Sequence, residues 1–566
     1  MTKDTISIIS ANPYRLIDEI RGVGFLSADK IARSLGIDPT SEERMLAAIT
    51  YLLAQAEEEG HCFLFEEQLK SRLEELIKVV IQDYSIKFDN CITLLQTTNT
   101  IVKENIIDKG LNLTRPAYYL GNLFLAEVEV VSKIKDMLNG HANITRQNNE
   151  ILEHRIQSWI NKFTKKKGIQ LTEKQILAVI QAAQSKIFIL TGGPGVGKTT
   201  AADTIIRLLK AMSKSVSLAA PTGRAAQRLS EVSALPAKTV HRLLEWNGSD
   251  GNFEKNSINQ IESDVIIIDE ASMLDINLTH KLFSALRNSS QLILIGDTDQ
   301  LPSIGPGNVL RDLIASKKIT CCELDEVFRQ SEKSRIIQSA HAINKGQLPD
   351  FSNEAGSDCR FITAESNASI KATIEDLILN KLPAAGYNQF NDIQILTPMN
   401  RGELGTINLN EQLQNIINPI NDNEHEYKVN KQRFLIGDKV IQCVNNYELG
   451  VFNGDIGFIE HVRANGAKLI VKFNERLVNY SSEQASELKL AYAITIHKSQ
   501  GSEFPAVIIP ITMQHYIMLQ RNLIYTALTR AKKLAIFIGS KKALQYAAQN
   551  QTSHTRQTRL KEKLEI

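Results

Sequence analysis

The spacing of apolar residues changes character twice along the chain. Up to about residue 160 they recur at intervals of three and four, which predicts amphipathic helices. Leu16, Ile17 and Ile20 share one face, Gly22-Val23-Gly24 makes a tight turn, and Ala28, Ile31, Ala32 and Leu35 line a second helix. Further helices are expected around residues 45–56, 68–77, 125–137 and 150–159. Residues 1–160 therefore read as one helical region, with Lys165-Lys166-Lys167-Gly168 as a solvated linker behind it. From Leu171 short apolar runs alternate with helical patterns, and 187–190, 216–220, 265–268 and 292–295 read as buried strands. Such alternation predicts a parallel sheet covered by helices. It fills residues 165–335 and resumes at 392–398, 507–510 and 535–538, which predicts a second α/β domain over 336–428 and 485–566. Residues 429–484 switch to short strands separated by turns and predict a small inserted β-barrel. Residues 243–262 carry an Asn247–Asn252 tip suited to a two-stranded hairpin, and the polar, basic tail from Gln549 is expected to be loose.

Chemistry enters at the ends of the predicted strands. After the apolar run Ile187-Phe188-Ile189-Leu190, the residues Gly192, Gly197, Lys198 and Thr199 satisfy G-x-x-x-x-G-K-[ST]. In such a loop the segment Gly193, Pro194, Gly195, Val196, Gly197 and Thr200 surrounds phosphates with the backbone N–H groups of its non-proline residues, helped by the positive end of the following helix. Lys198 reaches the β- and γ-phosphates, and the Thr199 hydroxyl is a ligand for Mg²⁺. The strand over 265–268 ends in Asp269-Glu270: Asp269 completes the Mg²⁺ shell, and Glu270 orients or deprotonates the attacking water. ATP and Mg²⁺ are thus the expected ligands. A third strand ends in Gly296-Asp297-Thr298-Asp299-Gln300-Leu301-Pro302, where Gln300 can sense the γ-phosphate. Pro221, Thr222, Gly223 and Arg224 follow the strand over 216–220, where small residues and an arginine suit contact with a single-strand backbone.

Composition narrows the classes without choosing among them. Length alone implies several domains. The 65 basic residues against 63 acidic ones leave a net charge of +2, so a nucleic-acid partner must be met by local grooves rather than by a basic coat. The six cysteines form no C-x-x-C pair, which argues against a zinc site or a disulfide framework. No apolar run approaches membrane-spanning length and no signal peptide is evident, so a cytoplasmic location is expected.

The order of these motifs, with Val327-Phe328-Arg329-Gln330, the run from Tyr492 to Gly501 and Tyr525-Thr526-Ala527-Leu528-Thr529-Arg530-Ala531, resembles superfamily 1 DNA helicases. It is most similar to the RecD-like group in its stand-alone bacterial branch, which also begins with a hairpin like that of residues 12–37. The resemblance runs from about residue 10 onward and is most specific over 171–535. The branch carries an additional N-terminal domain that this chain is expected to lack.

The resemblance implies an α/β fold with two RecA-like motor domains, an SH3-like β-barrel insertion and a helical N-terminal region containing a helix–hairpin–helix. It implies ATP-dependent 5′→3′ translocation on single-stranded DNA and duplex unwinding, in DNA repair or recombination. Gln175 corresponds to a glutamine that holds the adenine edge, with Gly501 and Glu503 also near the nucleotide. Arg329 and Arg530 are implied to neutralise charge on the γ-phosphate. His241, Asn400, Arg401, Thr495, His497 and Ser499 are implied single-strand contacts, and the Gly22 and Gly24 N–H groups suit a phosphate. Single-stranded DNA and single-strand/duplex junctions are the expected partners of a monomer. The rival readings are a nucleotide-gated DNA-binding regulator that does not unwind, an RNA helicase of a related branch, and the helicase half of a conjugative relaxase.

Overall fold

The computed structural model describes residues 12–20, 23–78, 84–108, 113–139, 146–248, 250–326, 333–351, 356–420, 426–429, 432–446, 448–462, 469–474, 476–551 and 556–566. The helix Phe25–Ser34 buries Phe25, Ala28 and Ala32 against Met45, Ile49 and Leu52 of the helix Glu42–Glu58, as their spacing predicts. The N-terminal region is not wholly helical, however. Strands β1 (Phe63–Phe65), β2 (Ile101–Asp108) and β3 (Leu113–Leu120) form an antiparallel sheet in the order β1-β3-β2. Lys103, Glu104, Arg115 and Pro116 interrupt the apolar alternation by which a strand is recognised, and only cross-strand pairing makes these segments extended. The lysine run is not a linker either. It forms the last turn of the helix Arg146–Lys167, where cations meet the negative helix end, and Gly168 (φ +67°) follows it.

The first motor lobe is a six-stranded parallel sheet of β4 (Ile187–Gly192), β5 (Val216–Ala220), β6 (Ala237–Thr239), β9 (Val265–Ile268), β10 (Gln291–Gly296) and β11 (Thr320–Leu324). Its order is β11-β4-β10-β9-β5-β6. Every residue of β4 and β9 is buried, as expected of central strands covered on both faces. Between β6 and β9, β7 (Trp246–Asn247) and β8 (Asn252–Phe253) make the expected hairpin. The second lobe is a five-stranded parallel sheet of β12 (Cys359–Thr363), β13 (Ile393–Thr397), β21 (Ala493–Thr495), β22 (Phe504–Ile511) and β23 (Ala531–Gly539), ordered β12-β23-β22-β13-β21.

The insertion in the second lobe contains a hairpin, β14 (Tyr427–Val429) with β15 (Gln432–Phe434). Beside it is an antiparallel sheet of β16 (Lys439–Gln442), β17 (Ile456–Val462), β18 (Leu469–Phe473), β19 (Arg476–Tyr480) and β20 (Leu488–Leu490). This all-β unit reaches to 490, beyond the 429–484 expected, because β20 pairs with β16.

The tail is also different from expectation. Residues 556–566 lie against the N-terminal region and the first lobe, and the helix Leu560–Glu565 buries Leu560 and Leu564 in a core shared with Phe63, Tyr119, Val130 and Leu313. Two apolar residues four apart in a basic stretch are too weak a sequence signal; the groove that receives them is made by distant segments.

Candidate active site

Parallel strands deliver their following loops to one edge of a sheet. At that edge β4 leads into the Gly193–Gly197 loop, β9 into Asp269-Glu270 and β10 into Asp297–Pro302. Gly195 (φ +75°) and Gly197 (φ +81°) adopt left-handed conformations that let the loop curl onto the helix Lys198–Ala211. A cleft of about 390 Å³ opens there, lined by Gly193, Pro194, Gly195, Gly197, Lys198 and Thr199. Asp269, Glu270, Gln300, Glu503 and Arg530 also line it, so both lobes contribute.

The Lys198 ammonium donates to the Gly192 carbonyl and, at 2.7 Å, to that of Gly193. It stands 3.9 Å from Asp297 Oδ2. Glu270 sits at φ 52°, ψ 41°, a left-handed conformation uncommon for a side-chain-bearing residue. Burial pushes the Asp269 carboxyl up, and the neighbouring Glu270 charge pushes the same way. A divalent cation would relieve that repulsion. The Thr199 hydroxyl and Asp269 carboxylate, both hard oxygen donors on this cleft, fit Mg²⁺ completed by phosphate and water oxygens.

The second lobe supplies the cation on the opposite wall. Arg530, 3% exposed at its side chain, has Nη1 4.0 Å from Glu270 Oε1. Its Nη2 donates to Gln300 Oε1 at 2.6 Å, while Nη1 and Nε donate to the carbonyls of Ser502 and Thr526. The rest of the Asp297–Leu301 segment is held across the same seam. The Tyr525 hydroxyl donates to Asp297 Oδ2 at 3.0 Å, and Asn344 donates to Asp299. Leu301 N–H donates to Thr526 Oγ1 at 2.8 Å, and Gln500 Nε2 to the Leu301 carbonyl at 3.2 Å. Tyr525, Thr526 and Gln500 belong to recognisable sequence runs, but their partners lie some 200 residues away, so no local signal assigned them this role. Arg228 and Lys532, which flank Glu503 at 2.5 and 3.3 Å, were missed for the same reason.

Several assigned residues stand elsewhere. Gln175 is fully buried and does not line the cleft. Its amide caps its own helix at Thr172 and donates to the Val196 carbonyl at 3.0 Å, so it braces the loop from behind. Val196 points into the core, and neither it nor Thr200 lines the cleft. Gly501 (φ +71°) is at the lobe seam, where an added Cβ would come 2.8 Å from Thr222 Oγ1. Arg329 and Gly22 lie outside the described residues.

The proposed strand contacts divide similarly. Asn400, Arg401 and Thr495 share a cleft of about 690 Å³ between the second lobe and its insertion, with Arg433, Lys489 and Lys498 adding positive charge that the sequence reading had not singled out. Thr222 caps the helix Gly223–Ser233, and Gly223 packs against Phe452 of the insertion. Pro221 precedes them at the end of β5. Arg224 turns into the seam, with its guanidinium 5.3 Å from the Phe504 ring centre. His241 packs against Trp246 and Phe253 in the base of the hairpin, where burial lowers its pKa. His497 faces a separate cleft beside Arg556, and Ser499 is buried with its hydroxyl donated to the Ile496 carbonyl. Gly24 stands at the start of the helix Phe25–Ser34, with open space around its α-carbon.

Comparison with known proteins agrees with this architecture. Residues 170–359 match an AAA domain model, 409–473 the SH3 domain of ATP-dependent RecD-like DNA helicases, 490–538 the UvrD-like helicase C-terminal domain and 1–63 the HHH domain of ATP-dependent RecD2 DNA helicases. The ATP-dependent RecD2 DNA helicase of Deinococcus radiodurans is 32% identical over 97% of this chain and 72% of its own length. The RecBCD enzyme subunit RecD of Haemophilus influenzae is 29% identical over 75% of this chain and 77% of its own. A solved Pif1 helicase from Bacteroides with ADP-AlF3 and ssDNA matches over 66% of this chain and 94% of its own at 20% identity, with a TM-score of 0.43. With the hairpin region, both motor lobes and the SH3-type insertion in their expected order and the cleft residues converging, this chain belongs to the ATP-dependent RecD2-like DNA helicase family.

Proposed function

We propose that this chain hydrolyses ATP between its two lobes to move 5′→3′ along single-stranded DNA and to separate the duplex ahead. The observation that carries the reading is Arg530, which reaches from the second lobe to Gln300 and Glu270 of the first. Phosphoryl transfer calls for positioning and charge neutralisation more than for covalent chemistry. Lys198 neutralises the terminal phosphates, Glu270 takes the proton of the attacking water, and Gln300 and Arg530 meet the charge that develops on the γ-phosphoryl. Thr199 and Asp269 would hold Mg²⁺, which supplies further neutralisation of the β- and γ-oxygens.

Lys198 and Gln300 both touch the Asp297–Leu301 segment, or lie on it, and the second lobe grips that segment. Loss of the γ-phosphate therefore loosens the lobes, and binding of a new ATP draws them together. Alternate gripping of the strand by the two lobes converts this cycle into steps. The cleft of Asn400, Arg401 and Thr495 offers cationic and polar groups suited to phosphates rather than base edges, which favours binding with little sequence preference. Direction and the repair or recombination context rest on the family resemblance. Among the described residues no helix is long and apolar enough to cross a membrane.

A strand-displacement assay on 5′- and 3′-tailed duplexes tests the reading, with Lys198→Ala as control. ATP-dependent displacement of the 5′-tailed duplex alone is expected. Displacement from the 3′ tail would overturn the direction, and DNA-stimulated ATP turnover without displacement would favour the strand-clamping regulator.

A further inference from the structure

The segment that follows Gln300 has a second anchor outside the motor lobes. Arg556, at the start of the docked tail, lays its guanidinium across the 303–307 turn. Its Nη1 donates to Ser303 Oγ at 3.2 Å and to the carbonyls of Gly305 and Gly307 at 2.8 Å each, and its Nη2 donates to the Ser303 carbonyl at 2.7 Å. The fork lies so close over Gly60 that a Cβ there would come 2.5 Å from the guanidinium carbon. The tail cannot slide freely around this contact. Gln557 donates its N–H to His61 Nδ1 and accepts from Cys62 N–H at 2.7 Å. The Thr558 hydroxyl lies 2.9 Å from a carboxyl oxygen of both Glu127 and Asp312, and Lys563 donates to Glu127 at 2.8 Å.

The link from this turn back to the cleft is short and stiff. Pro302 has its φ fixed by its ring. Leu301 has both its N–H and its carbonyl engaged by the second lobe. Few free torsions thus separate Ser303 from Gln300, so a displaced turn displaces the Gln300 amide relative to Arg530. Misplacement of a reacting arrangement by about 1 Å costs on the order of 10²-fold in rate when the groups are otherwise intact. A partial displacement, buffered by the lobe contacts, costs less.

We propose that Arg556 is a positioning residue for ATP hydrolysis: it seats the 303–307 turn so that Gln300 stays in register with Arg530, and so makes the C-terminal tail part of the motor. This rests on the hydrolytic reading of the cleft. It also places the N-terminal region, which holds the tail through His61, Cys62 and Glu127, in mechanical series with the γ-phosphate sensor.

The test uses full-length chain with wild type, Lys198→Ala, Arg556→Ala, Arg556→Lys and Lys563→Ala, each assayed for single-strand-stimulated ATP turnover and thermal melting. Arg556→Ala is expected to lower kcat about three- to tenfold while KM for ATP stays within twofold, because the phosphate loop is untouched. Arg556→Lys keeps the charge without the fork and is expected to fall between Ala and wild type. Lys563→Ala, which loosens the tail away from the turn, is expected to reduce kcat less than Arg556→Ala. A wild type inactive with DNA and ATP would sink the hydrolytic reading itself. An active wild type with unchanged kcat in Arg556→Ala, or a fall matched by a rise in KM, would overturn the positioning role alone. If Arg556→Ala melts early, the Arg556→Lys result decides by the same criteria.

Discussion

Replacing Arg530 with alanine removes the cation that the second lobe offers to the cleft, and the loss can be sized from the geometry. Two unit charges about 4 Å apart at an effective dielectric of about 20 interact by roughly 4 kcal/mol. That is close to the 4.0 Å separation of Arg530 Nη1 from Glu270 Oε1, and it sets the scale for a γ-phosphoryl oxygen in the same place. At about 1.36 kcal/mol per tenfold, the barrier change corresponds to roughly 10³ in kcat, the lower end of the range seen for arginine fingers. The side chain also donates across the seam to Gln300, so its removal weakens cohesion there by about 1.5–3 kcal/mol, while its bonds to the Ser502 and Thr526 carbonyls lie within the second lobe. The two effects separate in a single-turnover ATPase assay at saturating single-stranded DNA, run beside fluorescent-nucleotide binding. The expected result is a loss of about 10³ in the chemical step with nucleotide affinity reduced by far less. Arg530→Lys recovers part of the rate, since a point charge replaces the fork. A chemical step within tenfold of wild type, in a folded Arg530→Ala chain that still binds nucleotide, would refute the assignment of Arg530 to the transition state.

Glu270→Gln keeps the shape of the water-facing side chain and removes its basicity, so DNA-stimulated turnover is expected to fall about 10²- to 10⁴-fold with ATP binding retained, as a filter-binding assay would show. Arg401→Ala, in the cleft shared with Asn400 and Thr495, is expected to weaken single-strand binding for all sequences alike; the slope of log K against log salt should flatten by about one phosphate contact, measured by anisotropy titration. Burial pushes the Asp312 carboxyl up to about 7, against the pull of the Thr558 hydroxyl, with Glu127 and Glu562 raising it further and Arg311 lowering it. The folded chain then holds a proton between about pH 4 and 7 that the unfolded chain releases, so this group's contribution falls as pH rises through that window. Asp312→Asn should gain stability relative to wild type as pH rises from about 4 to 7.5, read by urea midpoint; a difference between the two chains that stays constant over that range would contradict it.

Much of the nucleotide chemistry was legible along the chain because each piece is local. A strand, a glycine turn and the following lysine are contiguous, and Asp269-Glu270 and the Asp297–Pro302 run likewise sit directly after buried apolar strands. The same locality made the two parallel sheets and the small hairpin readable from their periodicity. What the linear order does not contain is which group faces which. Gln175 has the right neighbours in sequence, but the fold buries it beneath the loop. Asn400, Arg401 and Thr495 come together while Arg224, His241, His497 and Ser499 turn away, because each side chain's direction is set by packing against the other lobe or the insertion. The grip of Tyr525, Thr526 and Gln500 on the Asp297–Leu301 segment, and of Arg556 on the turn beyond it, joins residues about 200 to 250 positions apart. Hydrogen bonds and buried contacts depend on distances of a few ångströms in space, and spacing along the chain carries no record of those until the sheets and their loops have closed on one another.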